Sequence, residues 1–278
     1  MIITGRYFTM IIDFHTHYHT QGDNDIIREM DRHGIEKSVV LAVPDHPRYY
    51  GIGSDGTNEK CLKYVSEHSD RLVMAAYIEP RNVMEAQTQI DKFHQQGIRF
   101  FKMWPGHGYS PDDPMIFPVW EKLNEIKATV IFHTGMLGTG RLCTPEINRL
   151  AGFNAKYGQP ILFDVPGRLF RDVTIILAHT AYPWTLEAFE MARMFDNVYL
   201  DLSCTMGFDA WNLIDKLRPF RVPWHKMLFG TDTSGVAKDV EYFVTRWKEL
   251  MSGDYFAPHA EEFFSGNALT LLKKAGLL

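Results

Sequence analysis

Four histidines and one aspartate of this chain each lie at the end of a short apolar run that is typical of a β-strand. The histidines are His15, His17, His133 and His179, and the aspartate is Asp232. Imidazole nitrogens and carboxylate oxygens are the ligands that zinc and similar divalent cations take in catalytic sites. Such a site keeps one coordination position open for water. The residue types therefore predict a catalytic metal centre, provided that the fold brings these distant positions together.

His15 and His17 are separated by a single residue within the run MIIDFHTH, residues 10–17. On a β-strand, side chains two positions apart point to the same face, so both imidazoles can reach one ion. On a helix the same two side chains would point about 200° apart. A lone histidine at a strand end is more often a hydrogen-bonded structural residue, so the prediction of a metal site depends on the whole set.

Eight short apolar runs, each followed by a helix-like stretch, must position these side chains. Most are near-continuous in Val, Ile, Leu and Phe, which is typical of strands buried on both faces of a parallel sheet. The runs are residues 10–17, 38–43, 72–79, 98–104, 129–133, 174–179, 197–203 and 227–232. Eight alternations of strand and helix predict an α/β fold, a single-domain (β/α)8 TIM barrel, and 278 residues suit that size.

The stretches between the runs show helical spacing, interrupted by two long loops on the catalytic face. Gly34 and Gly97 follow two of the helices, where a left-handed cap is expected. Helices are predicted at residues 25–33, 57–68, 83–96, 186–195 and 240–251, and the long loops at residues 105–118 and 135–159.

Two parts are distinguished along the chain, because the first strand begins directly at Met10. Residues 1–9 are predicted to be an N-terminal extension, and residues 10–278 the barrel. Whether translation starts at Met1 or at Met10 stays open.

The composition argues against several classes of partner. The formal net charge is −5 and no run of Lys and Arg stands out, so no nucleic-acid partner is expected. The three cysteines are widely spaced and odd in number, which fits a reducing compartment better than a disulfide framework. No stretch reaches the roughly 18 apolar residues of a membrane span, and the start is a poor signal peptide. We expect a cytoplasmic, soluble protein without a membrane partner.

Several sequence motifs together resemble the amidohydrolase superfamily, in the branch that includes aminocarboxymuconate-semialdehyde decarboxylase and its hydrolase relatives. The similarity covers nearly all of residues 10–278 and is specific for the fold and the metal site, but weak for the substrate. The motifs are DFHTH, FKMWP, SPDDPMIFPVWEKLNEI, IFHTG, ILAHT, LFGTD and FFSGNALTLL.

The resemblance implies roles for the five side chains. His15 and His17 would bind a divalent cation, Zn²⁺ or another such as Mn²⁺. Asp232 would be a further ligand and would take a proton from bound water. In relatives with one ion, His133 is a ligand, and His179 lies beside the ion, where it polarises the substrate or moves a proton.

The chemical state of Lys102 is linked to the number of metal ions at the site. In two-metal relatives His133 and His179 hold a second ion, and a lysine at the position of Lys102 bridges the pair as a carbamate. An unmodified Lys102 would instead pair with a carboxylate or bind an anionic substrate, since a buried cation facing metals alone is costly. This branch mostly uses one metal, so one ion is favoured.

Three functions remain open at this stage. The leading one is a metal-dependent hydrolase that cleaves a C–O or C–N bond in a small carboxylated molecule, namely a lactone, an amide or a cyclic ester. The second is a nonoxidative decarboxylase of an aromatic or unsaturated carboxylic acid. The third is a barrel without chemistry that serves as a scaffold, which the complete set of ligand positions disfavours. Relatives often form dimers, so a homodimer is a further expectation.

Substrate contacts are predicted from the loops that follow the strands. Arg141 and Arg48 suit a substrate carboxylate through bidentate hydrogen bonds, and Trp104 and Trp184 could line the pocket. An arginine in such a loop is more often an ordinary surface or structural residue, and an aromatic residue near a strand end more often serves packing.

Three further polar residues near the strand ends have two readings each. Asp13 could support the histidine pair or make a structural hydrogen bond, and Asp201 and Ser203 could touch substrate or cap their strand.

Overall fold

Eight parallel strands form one sheet whose order follows the sequence from β1 to β8. The computed structural model describes residues 10–18, 25–44, 56–136, 154–204, 222–233 and 237–278. The strands are β1 Ile11–His17, β2 Ile35–Leu41, β3 Leu72–Tyr77, β4 Phe100–Met103, β5 Thr129–His133, β6 Thr174–Ala178, β7 Val198–Asp201 and β8 Met227–Leu228. The predicted single-domain TIM barrel is confirmed.

Eight α-helices are present among the described residues, and they connect or follow the strands. Asp25 caps the first helix by accepting the amide of Arg28. Gly34 and Gly97 adopt the expected left-handed backbone, with φ of 70° and 88°. The helices are α1 Ile26–His33, α2 Asn58–Glu67, α3 Val83–Gln95, α4 Phe117–Glu125, α5 Asp164–Leu169, α6 Thr185–Met194, α7 Ala237–Met251 and α8 Asn267–Lys274.

Several predicted boundaries are corrected. The second strand, predicted at residues 38–43, is observed at Ile35–Leu41. The loop at residues 105–118 is shorter than expected, because α4 already begins at Phe117 with Pro118 in its first turn, where a missing amide proton costs nothing. The eighth strand was expected to reach Asp232, but it ends at Leu228, and Asp232 has a left-handed backbone with φ of 54°. The predicted extension at residues 1–9 lies outside the described residues.

The segment that follows β8 closes the barrel onto β1 through backbone hydrogen bonds. The amide of Phe14 donates to the carbonyl of Phe229 at 2.8 Å, and that of His17 to Thr233 at 2.7 Å. In the other direction, Asp232 donates its amide to the carbonyl of His15 at 2.7 Å. Closure therefore sets the positions of His15, His17 and Asp232 relative to one another.

A bulge in β1 re-aims the side chains next to that seam. Asp13 aligns with Ser38 and Thr16 with Val40, so β1 uses three residues where β2 uses two. Strict alternation is interrupted there, as is common beside active sites. Phe14 and His15 are both fully buried although they are neighbours in sequence. Alternation alone therefore does not fix which faces Asp13, His15 and His17 share.

The barrel interior below the site is filled by apolar side chains. Phe14 of β1 packs against Phe100 of β4 with ring centroids 5.6 Å apart, and Leu271 and Leu272 of α8 belong to the same buried cluster. The barrel interior below the site is thus a packed core, as is usual for this fold. Among the described helices, none is long and apolar enough to cross a membrane.

The side chain of Asp13 connects β1 to the segment that follows β8. Its carboxylate accepts the amide of His15 at 3.1 Å, the amide of Thr231 at 3.0 Å and the Thr231 hydroxyl at 2.7 Å. We expect Asp13→Ala to lower the free energy of unfolding of the metal-free protein by about 3 kcal/mol, because buried donors lose their acceptor. Urea denaturation measures this loss. The exposed Asp172→Ala is the control, and equal stability of the two variants would contradict the assignment.

Candidate metal centre

His15, His17 and Asp232 meet at the carboxyl end of the barrel. His15 Nε2 lies 3.3 Å from His17 Nε2, and Asp232 Oδ1 lies 3.2 Å from the first and 3.1 Å from the second. The three atoms form a nearly equilateral triangle. Residues more than 200 positions apart in sequence are thereby brought together around one point.

The size of this triangle fits one divalent cation. Ligand atoms about 2.0–2.1 Å from a tetrahedral ion lie about 3.3 Å apart. The three edges match that spacing, so an ion above the triangle could contact all three atoms at once. Two imidazoles and one carboxylate also suit Zn²⁺ and Mn²⁺.

The hydrogen bonds of the two imidazoles leave the correct nitrogen facing the triangle. His17 Nδ1 lies 2.9 Å from the carbonyl of Leu41, and His15 Nδ1 lies 2.5 Å from Asp201 Oδ2. Carbonyl and carboxylate oxygens only accept, so Nδ1 carries the proton in both rings and Nε2 presents its lone pair. Burial holds the pKa of His15 well below its usual value, which favours the neutral ring that a metal needs.

Asp232 combines a negative charge with access to the barrel mouth. Burial raises the pKa of this carboxyl, but the nearby His15 and His179 outweigh burial and hold the pKa well below its usual range. Its side chain keeps 22% exposure, whereas that of His15 is fully buried. Asp232 is therefore an ionised group that can meet both a cation and a molecule that enters the mouth.

His179 and His133 stand next to the triangle. His179 Nδ1 is 3.9 Å from Asp232 Oδ2, and the rings of His133 and His179 have centroids 4.7 Å apart. His133 Nε2 is buried and has no hydrogen-bond partner among the described residues. Burial lowers the pKa of both histidines, to about 4 for His179. An unsatisfied buried nitrogen here is what a further ligand of the ion, or a contact to substrate, would explain.

His133 lies outside the tight groups of ligand atoms, however. Two such groups exist among the described residues, one formed by His15, His17 and Asp232 and the other by His15, His179 and Asp201. The second cannot hold an ion between His15 Nδ1 and Asp201 Oδ2, because 2.5 Å is too short for two ligands of one metal. The geometry thus offers one compact metal triangle.

Lys102 is a buried amine on β4, on the inner face of the barrel. It is 5% exposed, and burial lowers its pKa to about 8, although the charges of Asp232 and Asp201 act in the opposite direction. An amine with this pKa is unprotonated more often at neutral pH than an ordinary lysine. It could therefore either carry a charge toward the carboxylates or react as a free amine.

Unusual backbone conformations are concentrated at the site. Five of the six non-glycine residues with positive φ in the described part of the chain lie just after β6, β7 or β8. A left-handed backbone is costly for residues with a side chain and persists at functional sites where the fold enforces it. The five are His179, Thr180, Ala181, Cys204 and Asp232.

The predicted substrate contacts have different outcomes. Trp104 is buried and packs edge-on against His107, with ring centroids 4.9 Å apart. Trp184 is half-buried directly before α6. Arg141 and Arg48 lie outside the described residues. The arrangement of Trp104 suits packing, and the contact roles of all four residues stay predictions.

A cavity of about 470 Å³ lies beside the ends of β2 and β3. Its lining includes Tyr77, Glu79 and His107, and His107 Nδ1 contacts both the Tyr77 hydroxyl at 2.8 Å and the Glu79 carboxylate. Arg81 donates to the same carboxylate at 2.9 Å. These groups are largely engaged with one another, so the cavity wall is a preformed polar network.

Gly230 is a site residue that the sequence reasoning missed. A Cβ at this position would lie 2.6 Å from Asp201 Oδ1 and 2.9 Å from His15 Cβ. We expect Gly230→Ala to cost about 1–3 kcal/mol of stability through overpacking and to weaken Zn²⁺ binding, because His15 must shift. Calorimetric titration with Zn²⁺ and urea unfolding measure the two effects.

The control for that variant is Gly266→Ala. A Cβ at Gly266 finds its nearest atom at 3.5 Å, and the backbone there is helical. This control should keep wild-type stability and affinity. Unchanged Zn²⁺ binding in Gly230→Ala would contradict the tight packing behind His15.

Comparison with known proteins places the chain by sequence and by fold. A model of the amidohydrolase family matches residues 12–274. A search of curated proteins found no match. Three solved structures share the fold over most of their length. An uncharacterised TIM-barrel protein from Bordetella bronchiseptica is 22% identical, with a TM-score of 0.73, and the match covers 96% of this chain and 99% of that one. A dihydroxybenzoic acid decarboxylase from Polaromonas, with bound manganese and an inhibitor, is 15% identical, with a TM-score of 0.67 and coverage of 96% of this chain and 98% of that one. A probable 2-pyrone-4,6-dicarboxylic acid hydrolase from Acinetobacter baumannii, with citric acid bound, is 12% identical, with a TM-score of 0.65 and coverage of 95% of this chain and 99% of that one.

Proposed function

The chain belongs to the amidohydrolase family, and from this premise we propose that it is a metal-dependent hydrolase of a small carboxylated molecule. The bond cleaved is a C–O or C–N bond, as in a lactone, an amide or a cyclic ester. The observation that carries the metal dependence of this proposal is the triangle of His15 Nε2, His17 Nε2 and Asp232 Oδ1, with edges of 3.1–3.3 Å.

His15, His17 and Asp232 would hold one Zn²⁺ or Mn²⁺ ion. When bound, such an ion supplies Lewis acidity and makes a nearby water more acidic. Asp232 faces the mouth and is ionised, so its free oxygen can accept the proton of the attacking water and return it to the leaving group. A bound manganese in a decarboxylase of the same fold supports a divalent cation in this kind of barrel.

His179 and His133 would act on the substrate side. His179 is neutral at physiological pH and 3.9 Å from Asp232, so it can polarise a carbonyl or move a proton beside that carboxylate. The buried Nε2 of His133 would bind the ion or a polar group of the substrate. The two rings together line one side of the reacting centre.

One ion rather than two is proposed, with Lys102 unmodified. Of the two groups of candidate ligand atoms in the described part of the chain, the one formed by His15, His17 and Asp232 has the spacing of ligands around one ion, which supports this count. As an ammonium group, Lys102 would balance the charges of Asp232 and Asp201 and attract an anionic substrate. Arg141 and Arg48 are proposed to bind a substrate carboxylate at the mouth. Intact mass and metal analysis decide between this state and a carbamate with two ions.

Decarboxylation is the second candidate, and the fold shared with a dihydroxybenzoic acid decarboxylase favours it. His15, His17 and Asp232 would then hold the cation beside the substrate carboxylate. The C–C bond to that carboxylate would break, CO₂ would leave, and a proton would take its place on carbon. His179 and Asp232 are the groups placed to relay that proton from water to the carbon. The hydrolase of similar fold, with citric acid bound, supports the first candidate to the same degree.

Isotope labelling separates the two reactions. The Zn²⁺- and Mn²⁺-loaded protein is screened against lactones, cyclic esters, amides and carboxylated phenols, and active substrates are turned over in H₂¹⁸O and in D₂O. Hydrolysis predicts ¹⁸O in the product carboxylate and no CO₂. Release of CO₂ with deuterium on carbon would overturn the hydrolase proposal in favour of the decarboxylase, and inactivity across the panel with no bound metal would refute both.

A further inference from the structure

Asp201 is a fully buried carboxylate in contact with the metal-facing histidine. Its Oδ2 lies 2.5 Å from His15 Nδ1, and both side chains are fully buried. A buried carboxylate is stabilised only where donors surround it. Here the donors are His15 Nδ1 and groups of Ser203.

Ser203 connects Asp201 to the second histidine. Its amide donates to Asp201 Oδ1 at 2.8 Å and its hydroxyl to Asp201 Oδ2 at 2.9 Å. The same hydroxyl oxygen lies 3.0 Å from His179 Nδ1 and 3.2 Å from His15 Nδ1. One serine therefore contacts both imidazoles and the carboxylate between them.

The directions of these hydrogen bonds follow from the chemistry of each group. Asp201 only accepts, so the hydroxyl proton of Ser203 and the Nδ1 proton of His15 both point to it. With its proton given to Asp201, the Ser203 oxygen can only accept from His179, so Nδ1 of His179 also carries a proton. Both rings then present an unprotonated Nε2 away from the network.

We propose that Asp201 and Ser203 are positioning residues that set the orientation and tautomer of His15 for the metal and of His179 for the substrate. This inference rests on the proposed metal-dependent function. Neither residue touches the reacting atoms. They act by presenting His15 Nε2 to the cation and an unprotonated Nε2 of His179 to the molecule that enters the mouth, as partners behind metal-binding histidines do.

Gly230 gives independent support, because it leaves room for this network. A side chain there would collide with Asp201 Oδ1 and come within 3.1 Å of Ser203 Cβ. A network that only capped β7 would need no contact across the barrel to β1 and to the residue after β6. Asp201 and Ser203 contact His15 of β1, and Ser203 also contacts His179 after β6, so capping of β7 alone does not account for the network.

The test begins with the wild-type protein and needs no mutation. In the metal-free, full-length protein, ¹⁵N-resolved NMR of the imidazoles reports which nitrogen carries the proton. We expect protons on Nδ1 of both His15 and His179, before and after titration with Zn²⁺. A proton on Nε2 of His15, or loss of its Nδ1 proton on Zn²⁺ addition, would overturn the proposal and make the second cluster a metal site.

Two variants then measure the effect on the metal. Asp201→Asn and Ser203→Ala are expected to weaken Zn²⁺ binding about 10- to 100-fold, as measured by competition with a chelator, with the larger loss in Asp201→Asn. Asn197→Ala is the matched control. Asn197 is buried directly before the same strand, β7, and donates to the carbonyls of Phe170 and Val173, so its loss lowers stability but not Zn²⁺ affinity.

The outcomes separate this inference from the proposed function. Wild-type Zn²⁺ affinity in both variants, with an active wild-type enzyme, would overturn the positioning role and leave the function standing. Loss of affinity in Asn197→Ala equal to that in Ser203→Ala would show a mere stability effect and also overturn it. A wild-type protein that binds no divalent cation would refute the proposed function itself.

Discussion

Asp232→Asn is expected to reduce turnover about 10³- to 10⁴-fold while the barrel stays folded. The amide has the size of the carboxylate but cannot accept a proton, and general acid–base catalysis contributes factors of about 10²–10⁴. The loss of a charged ligand beside His15 and His17 weakens the cation site as well. The measurements are kcat of the Zn²⁺-loaded variant on the substrate found by screening, and its thermal unfolding.

The control for Asp232→Asn is Asp172→Asn, an exposed aspartate before β6 that lies outside the proposed site. This variant should retain wild-type kcat, metal content and stability. Activity of Asp232→Asn within a factor of about three of the wild type would contradict the proton-transfer role. Loss of the fold in that variant would contradict the view that Asp232 serves the site rather than the barrel.

Removal of divalent cations is expected to abolish activity reversibly. His15, His17 and the ionised Asp232 form a preformed set of ligands, so a chelator should empty the site without unfolding the barrel. Zn²⁺ or Mn²⁺ should restore activity, and saturation at about 100 times the dissociation constant should stabilise the fold by about 2.7 kcal/mol. Activity assays and thermal scans after dialysis measure both effects.

A matched experiment on His17→Ala shows whether that stabilisation comes from the triangle. His17 is less buried than His15, so its removal should spare the metal-free fold. In this variant, added Zn²⁺ should neither raise the unfolding temperature as in the wild type nor restore activity. Full activity of chelator-treated wild-type protein, or a Zn²⁺ effect on His17→Ala equal to that on the wild type, would contradict the account.

Much of the fold could be predicted because buried parallel strands have a strong sequence signature. The apolar runs at residues 129–133 and 72–79 place β5 and β3 within two residues of their observed bounds. The end of β8 within residues 227–232 was harder to predict. The backbone after Leu228 forms hydrogen bonds with β1 but does not continue the regular strand pairing. The extent of a strand depends on its hydrogen bonds to a neighbouring strand, and the local sequence pattern does not show where that pairing stops.

The metal triangle was predictable and the network behind it was not. The spacing of His15 and His17 on a predicted strand indicates two ligands on one face, and Asp232 is recognisable as a candidate because it ends an apolar run. Asp201 matters because its Oδ2 lies 2.5 Å from His15 Nδ1, and Gly230 matters because a Cβ at its position would lie only 2.9 Å from His15 Cβ. Those contacts depend on the closure of β8 onto β1 and on the bulge in β1, and neither has a local sequence signal.

The most direct test of the account is X-ray diffraction from metal-soaked crystals at the zinc and manganese absorption edges. We expect one anomalous peak per chain, about 2.0–2.3 Å from His15 Nε2, His17 Nε2 and Asp232 Oδ1, with Lys102 unmodified. A vacant triangle after soaking, a peak held by Asp201 and His15 Nδ1, or three ligand atoms too far apart to share an ion would contradict the central claim.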